Sequence, residues 1–243
     1  MMPMVRSLTP AVLLFALAVF SGSCAQQPVD PNPIPDPEPE LGEAEDLHPA
    51  NGEEALEWLL AGNHRFWDGH PRHDHESMRR VAMLSDGQHP FGIVLGCADS
   101  RVSPELVFDH GLGDLFVVRV AGNVVAEDEA GSIEYALVHL HVPLVVVLGH
   151  ENCGAVTAAL GAHDGEPKEL VTLLRRIIPA IRDIDPTLPL EERIRLGVEA
   201  NVRQSVSQLR AIQDRLERPE GERSVIVGAI YELETGKVRI LED

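Results

Sequence analysis

Apolar residues in this chain fall into two patterns, and the alternation between them predicts the fold. Short apolar runs occupy 91–96, 115–120, 142–148 and 225–231, the second carrying Arg119 near its end. Runs this short, rich in Val and Ile and broken by Gly, read as strands covered on both faces. Between them apolar positions recur at helical spacing. A first helix starts at Asn51 or Gly52, with Ala55, Leu59, Leu60 and Phe66 as its stripe and Glu53 and Glu54 at the positive end of its dipole. Further helices are predicted over 78–84, from Pro104 (with Leu106, Val107 and Phe108 facing inward), and over 129–141, 154–160, 168–184 and 191–216. Strands alternating with helices predict an α/β fold with a mainly parallel β-sheet flanked by helices. The last run and residues 237–241, joined through Thr235 and Gly236, predict an antiparallel edge strand.

The N-terminus follows neither pattern. Residues 1–24 carry Arg6, an apolar stretch from Leu8 to Phe20, and then Ser21-Gly22-Ser23-Cys24, which reads as an export signal too short for a comfortable membrane span. Two processing routes fit. In the first, Cys24 becomes a lipidated first residue and the only link to a membrane, although Ser21 stands where such signals usually carry an aliphatic residue. In the second, Ser23-Cys24-Ala25 serves an ordinary signal peptidase. Either route places the mature protein outside the cytoplasm, lipid-anchored on the periplasmic side of the envelope or soluble in the periplasm. Residues 25–50 are Pro-rich and acidic, and are expected to form an extended tether. Residues 51–243 are then one folded domain, within a chain of 243 residues that is 44% hydrophobic. A net charge of -19 excludes nucleic acid as an expected partner.

Chemistry is concentrated where two strands end. The first apolar run delivers Cys97, Asp99 and Arg101, while the third ends in Gly149-His150 with Cys153 three residues on. Open α/β sheets place their ligands at the carboxyl ends of strands. Two soft thiolates and an imidazole suit zinc, and three protein ligands leave a fourth tetrahedral position open. A Cys97–Cys153 disulfide and a pair of free core thiols are the competing readings, the disulfide having weight in an exported protein. The histidine and the Asp-x-Arg pair favour metal, because a staple needs neither. His64, His70, His73 and His75 form a second polar cluster, read as solvated loop and helix residues.

The segments C-A-D-S-R at 97–101, L-F-V-V-R-V-A-G-N at 115–123 and G-H-E-N-C-G at 149–154 resemble those of β-class carbonic anhydrases. The resemblance spans about residues 53–241. It implies one zinc ion per chain held by Cys97, His150 and Cys153. The implied reaction is reversible hydration of carbon dioxide to bicarbonate and a proton through zinc-bound hydroxide. Asp99 and Arg101 are implied as a gate, the arginine keeping the carboxylate off the metal and available to orient hydroxide. Gln88 and Phe116 are implied in the substrate pocket, completed across a homodimer or larger assembly, with Gly154 letting the backbone approach the site. Two alternatives keep the fold and metal: hydrolysis of carbonyl sulfide or carbon disulfide, and a non-catalytic binding module. The family's usual Asn after the strand arginine is Val120 here.

Overall fold

A computed structural model describes residues 48–161, 165–216 and 218–242. The expected export signal, the Cys24 lipidation site and nearly all of the tether lie outside them. Five strands form one sheet: β1 (Gly92–Gly96), β2 (Leu115–Arg119), β3 (Leu144–His150), β4 (Val225–Tyr231) and β5 (Val238–Ile240). They lie in the order β2-β1-β3-β4-β5, the first four parallel and β5 antiparallel to β4. This is the architecture predicted from the alternating patterns.

The fully apolar runs became the middle of the sheet, with every residue of β1 and β3 buried. β2, read as an equally covered strand, is instead an edge strand that is only half-buried. An apolar run records that a strand is hydrophobic, not how many neighbours it has. The two faces bury separate clusters. One gathers Ile93, Leu95, Val145 and Val147 under α4 (Glu127–His139), α6 (Lys168–Ile181) and α7 (Leu190–Arg215). The other packs Val94, Val146 and Leu148 against Leu59 of α1 (Gly52–Trp67) and Phe108.

Most helices match expectation within a residue or two. Asn51 caps α1, its side chain accepting from the Glu54 amide at 2.9 Å. The segment from Met78 also matches, α2 (Met78–Met83) tightening into a 3-10 turn over Leu84–Asp86 before Gly87. Leu106, expected inward on α3 (Pro104–Val107), is 56% exposed, while Val107 and Phe108 are buried. A single helical turn cannot bury three consecutive residues. α5 (Gly154–Ala159) follows β3 directly.

A buried ion pair secures the loop beneath α1. Asp109 accepts from Arg65 and from the amides of Arg72 and His73. Burial pushes its carboxyl up, but the Arg72 amide, the Arg65 side chain and the His73 amide together hold it below the usual range. Its stabilisation is therefore present above the unfolded carboxyl value of about 3.9 and is lost as pH falls through the lower folded value. Asp109→Ala, which strands Arg65, is expected to cost ~3 kcal/mol in denaturant unfolding at neutral pH. The deficit relative to the parent should shrink in acid, and a constant deficit down to pH 2 would show that ionisation is not the source.

Candidate metal centre

The register of β1 and β3 creates the site. Gly96 lies opposite Leu148 in the parallel ladder, so Cys97, one residue past β1, and His150, at the end of β3, emerge at the same edge of the sheet. Gly149 is required here by α7: a Cβ would sit 2.5 Å from Val202 Cγ2. After His150 the chain turns through Asn152, with φ of 51°, and brings back Cys153 as the N-cap residue of α5.

Cys97, His150 and Cys153 are all buried, and their donor atoms lie within 4.8 Å of one another; among the described residues they are the one group arranged to hold a metal ion. Both cysteines are free thiols. The His150 Nδ1–H donates to Glu151 O at 2.8 Å, which leaves Nε2 bare. That Nε2 is buried with no hydrogen-bond partner, a costly position for an acceptor unless a cation meets it. The donor set therefore fits a soft, four-coordinate ion such as zinc.

Electrostatics agree. The Cys97 thiol is lowered to about 4, chiefly by its hydrogen bond with Cys153, with His150 and the Gly122 and Asp99 amides adding to this against the effect of burial. Cys153 is pushed up by the same shared proton and by burial, while the amides of Val156 and Ala155 at the start of α5 pull it down. One thiolate is thus already favoured without any metal, and a cation would displace the proton the pair shares.

Beside the cluster, Arg101 grips Asp99 with two prongs, Nε to Oδ1 at 2.9 Å and Nη2 to Oδ2 at 2.7 Å, and its amide adds a third bond at 3.0 Å. These bonds hold the Asp99 carboxyl far below the usual range. Asp99 Oδ2 is 3.8 Å from His150 Nε2, so the gripped carboxylate borders the metal position.

The other expected residues divide. Phe116 lies on β2, half-buried, with its ring 6.4 Å from that of Tyr135. Gln88 is exposed in the loop before β1. A Cβ at Gly154 would meet nothing within 4 Å, so no close approach within this chain demands the glycine. The four N-terminal histidines do not converge: His70 faces Asp68, His73 faces Glu76, His75 faces Asp114, and His64 packs on Trp67.

Sequence reasoning missed what holds the loop. Arg119, at the end of β2, donates to Cys97 O at 2.9 Å and Asp99 O at 2.7 Å, clamping both residues from the neighbouring strand. A charged residue closing an apolar strand was the available signal. Asn201 and Ser205, polar and four apart on an apolar face of α7, were another.

A family profile described as carbonic anhydrase matches residues 92–238. Carbonic anhydrase 2 of Mycobacterium tuberculosis is 42% identical over 190 residues, 76% of this chain and 90% of that protein. Among solved structures, the β-carbonic anhydrase CcaA superposes with a TM-score of 0.61 at 31% identity, covering 77% of this chain and 87% of that one. The Coccomyxa β-carbonic anhydrase, solved in complex with acetazolamide, gives 0.59 at 30% identity over 76% and 86%. Sequence and fold both agree with the arrangement at the strand ends, and the chain belongs to the β class of the carbonic anhydrases.

Proposed function

We propose that the chain hydrates carbon dioxide reversibly to bicarbonate and a proton, using one zinc ion held by Cys97, His150 and Cys153. The bare, partnerless Nε2 of His150 between two free thiols carries this reading. Zinc bound there supplies a Lewis acid that makes water nucleophilic near neutral pH.

The protein's own groups do the rest. The Glu151 carbonyl orients the His150 ring, and Arg119 holds the Cys97 and Asp99 carbonyls in place. Arg101 keeps Asp99 ionised and turned aside, so that its carboxylate can accept a hydrogen bond from the attacking water and orient it. This is the gating role proposed for the pair. Phe116 and Gln88 are assigned to the carbon dioxide side of the site. Exposed Gln88 and exposed Tyr135, whose ring lies 6.4 Å from that of Phe116 on the half-buried edge strand β2, support closure of that side by a second copy in a homodimer.

The test is metal analysis with stopped-flow hydration on the full chain. About one zinc per chain is expected, with the Cys97 and Cys153 thiols reacting only after chelation. Full hydration activity with an intact Cys97–Cys153 disulfide would sink the assignment. Turnover of carbonyl sulfide or carbon disulfide without hydration would keep the metal and replace the substrate.

The N-terminal pattern supports export with lipidation at Cys24. Cys24→Ser should leave an unprocessed precursor or a soluble form where the parent partitions with membranes. An unchanged mature N-terminus and unchanged partition would favour ordinary cleavage.

A further inference from the structure

One sulfur of the metal cluster receives a hydrogen bond from a residue that is itself held from a distance. The Gly122 amide donates to Cys97 Sγ at 3.3 Å. Gly122 lies in the turn 121–123 after β2, in the left-handed region with φ of 72°, and a Cβ there would meet Ile177 Cδ1 at 2.8 Å. Glycine satisfies both demands but brings freedom, since its amide can turn in several directions at little cost. The turn must be fixed from outside.

α7 fixes it. Asn201 Nδ2 donates to Gly122 O at 2.7 Å, and Ser205 Oγ donates to Asn123 O at 3.0 Å. The two residues stand one helical turn apart on a face that also buries Val198, Val202, Val206 and Leu209. Each is only 1% exposed. Polar side chains so deeply placed are costly unless bonded, and both direct a bond to consecutive carbonyls of this one turn.

We infer that Asn201, seconded by Ser205, is a positioning residue for the metal centre: by holding the Gly122 carbonyl it aims the Gly122 amide at Cys97 Sγ and sets how strongly that thiolate binds the metal. The inference rests on the metal centre proposed above. An amide donating to a thiolate takes up part of its charge and lowers the energy of the sulfur lone pairs. It also keeps the sulfur facing the other two donors. Groups that orient a ligand in this way are typically worth about 10- to 100-fold in metal affinity.

The experiment loads the full chain with cobalt(II), whose sulfur-to-metal charge-transfer absorption reports directly on the thiolates. Asn201→Leu removes the donor at similar volume, together with the Asn201 Oδ1 that is buried without a partner, so the helix face remains packable. The band is expected to move to lower energy, and chelator competition should show cobalt held ~10- to 100-fold more weakly. Asn201→Gln, which retains an amide N–H, should recover part of both effects. Ser205→Ala deletes only a hydroxyl, and should shift the band in the same direction by less; it carries the test if Asn201→Leu does not fold. An unmoved band in folded variants overturns the inference, and so does weakened affinity with no band shift, which would mark a merely structural role. A parent chain that takes up cobalt without any thiolate band overturns the metal centre itself, and the inference with it.

Discussion

Cys97→Ser is expected to strip the centre of metal and reduce carbon dioxide hydration to the uncatalysed rate, in a chain that still folds. A serine hydroxyl does not ionise near neutral pH and is a hard, neutral donor where a soft anion is needed. The remaining pair, His150 and Cys153, offers two ligands to an ion that takes three from the protein. The shared proton goes with Cys97, and burial still pushes the remaining Cys153 thiol up. Folding should survive because Ile93, Val94 and Leu95, which bury β1 on both faces, are untouched. Elemental analysis, stopped-flow hydration and far-UV circular dichroism together decide the matter. A metal-loaded, active Cys97→Ser chain would remove Cys97 from the ligand set.

The second large effect is expected at Arg101. Its side chain is about half exposed and touches no ligand, so a structural reading predicts little from its loss. The geometry predicts much more. Arg101→Ala releases both prongs from Asp99 and leaves an anion 3.8 Å from His150 Nε2, at the border of a cation site. The carboxylate then has every reason to close on the cation and exclude water. Metal content should be unchanged, since the three ligands remain, while hydration falls at least ~100-fold, the order of losing a group aimed at the reacting centre. Asp99→Asn should also lose activity, yet without an anion to close the site. Near-parental hydration by Arg101→Ala across pH 7 to 9, with full metal, would reduce the pair to a loop staple.

The three donors were legible in the sequence because strand ends announce themselves: an apolar run stops at glycine, and the next reactive side chain is placed at the sheet's carboxyl edge. Cys97 and His150 followed from that rule alone. The order of strands did not, since nothing in the run at 115–119 distinguishes an edge from the interior; only the pairing of Gly92 with Leu115 and Ile93 with Val145 makes β1 central and β2 marginal. The supports were harder still. Arg119 acts on backbone carbonyls of a neighbouring strand, and Asn201 reaches Gly122 across 79 positions of chain. Local patterns carry no trace of partners that far away. Leu106 failed for the opposite reason, as a one-turn helix is too short for its apolar residues to choose a face.

The adjacency of β1 and β3 also makes the site depend on a long crossover. Between these strands the chain runs through β2 on one flank and α4 on one face before it returns beside β1. Such non-local pairing is the slow part of building a parallel sheet, because the closure entropy is lost before the contacts reward it. The thiol of Cys97 and the ring of His150 meet only once that return is complete. A cation bound by these donors would therefore clasp a crossover already made, and would draw its binding energy from the native chain rather than from the unfolded one. Tightly held metal is in that sense a record of successful folding: a nascent or misregistered chain has the same cysteines and histidine, but no place where they face one another.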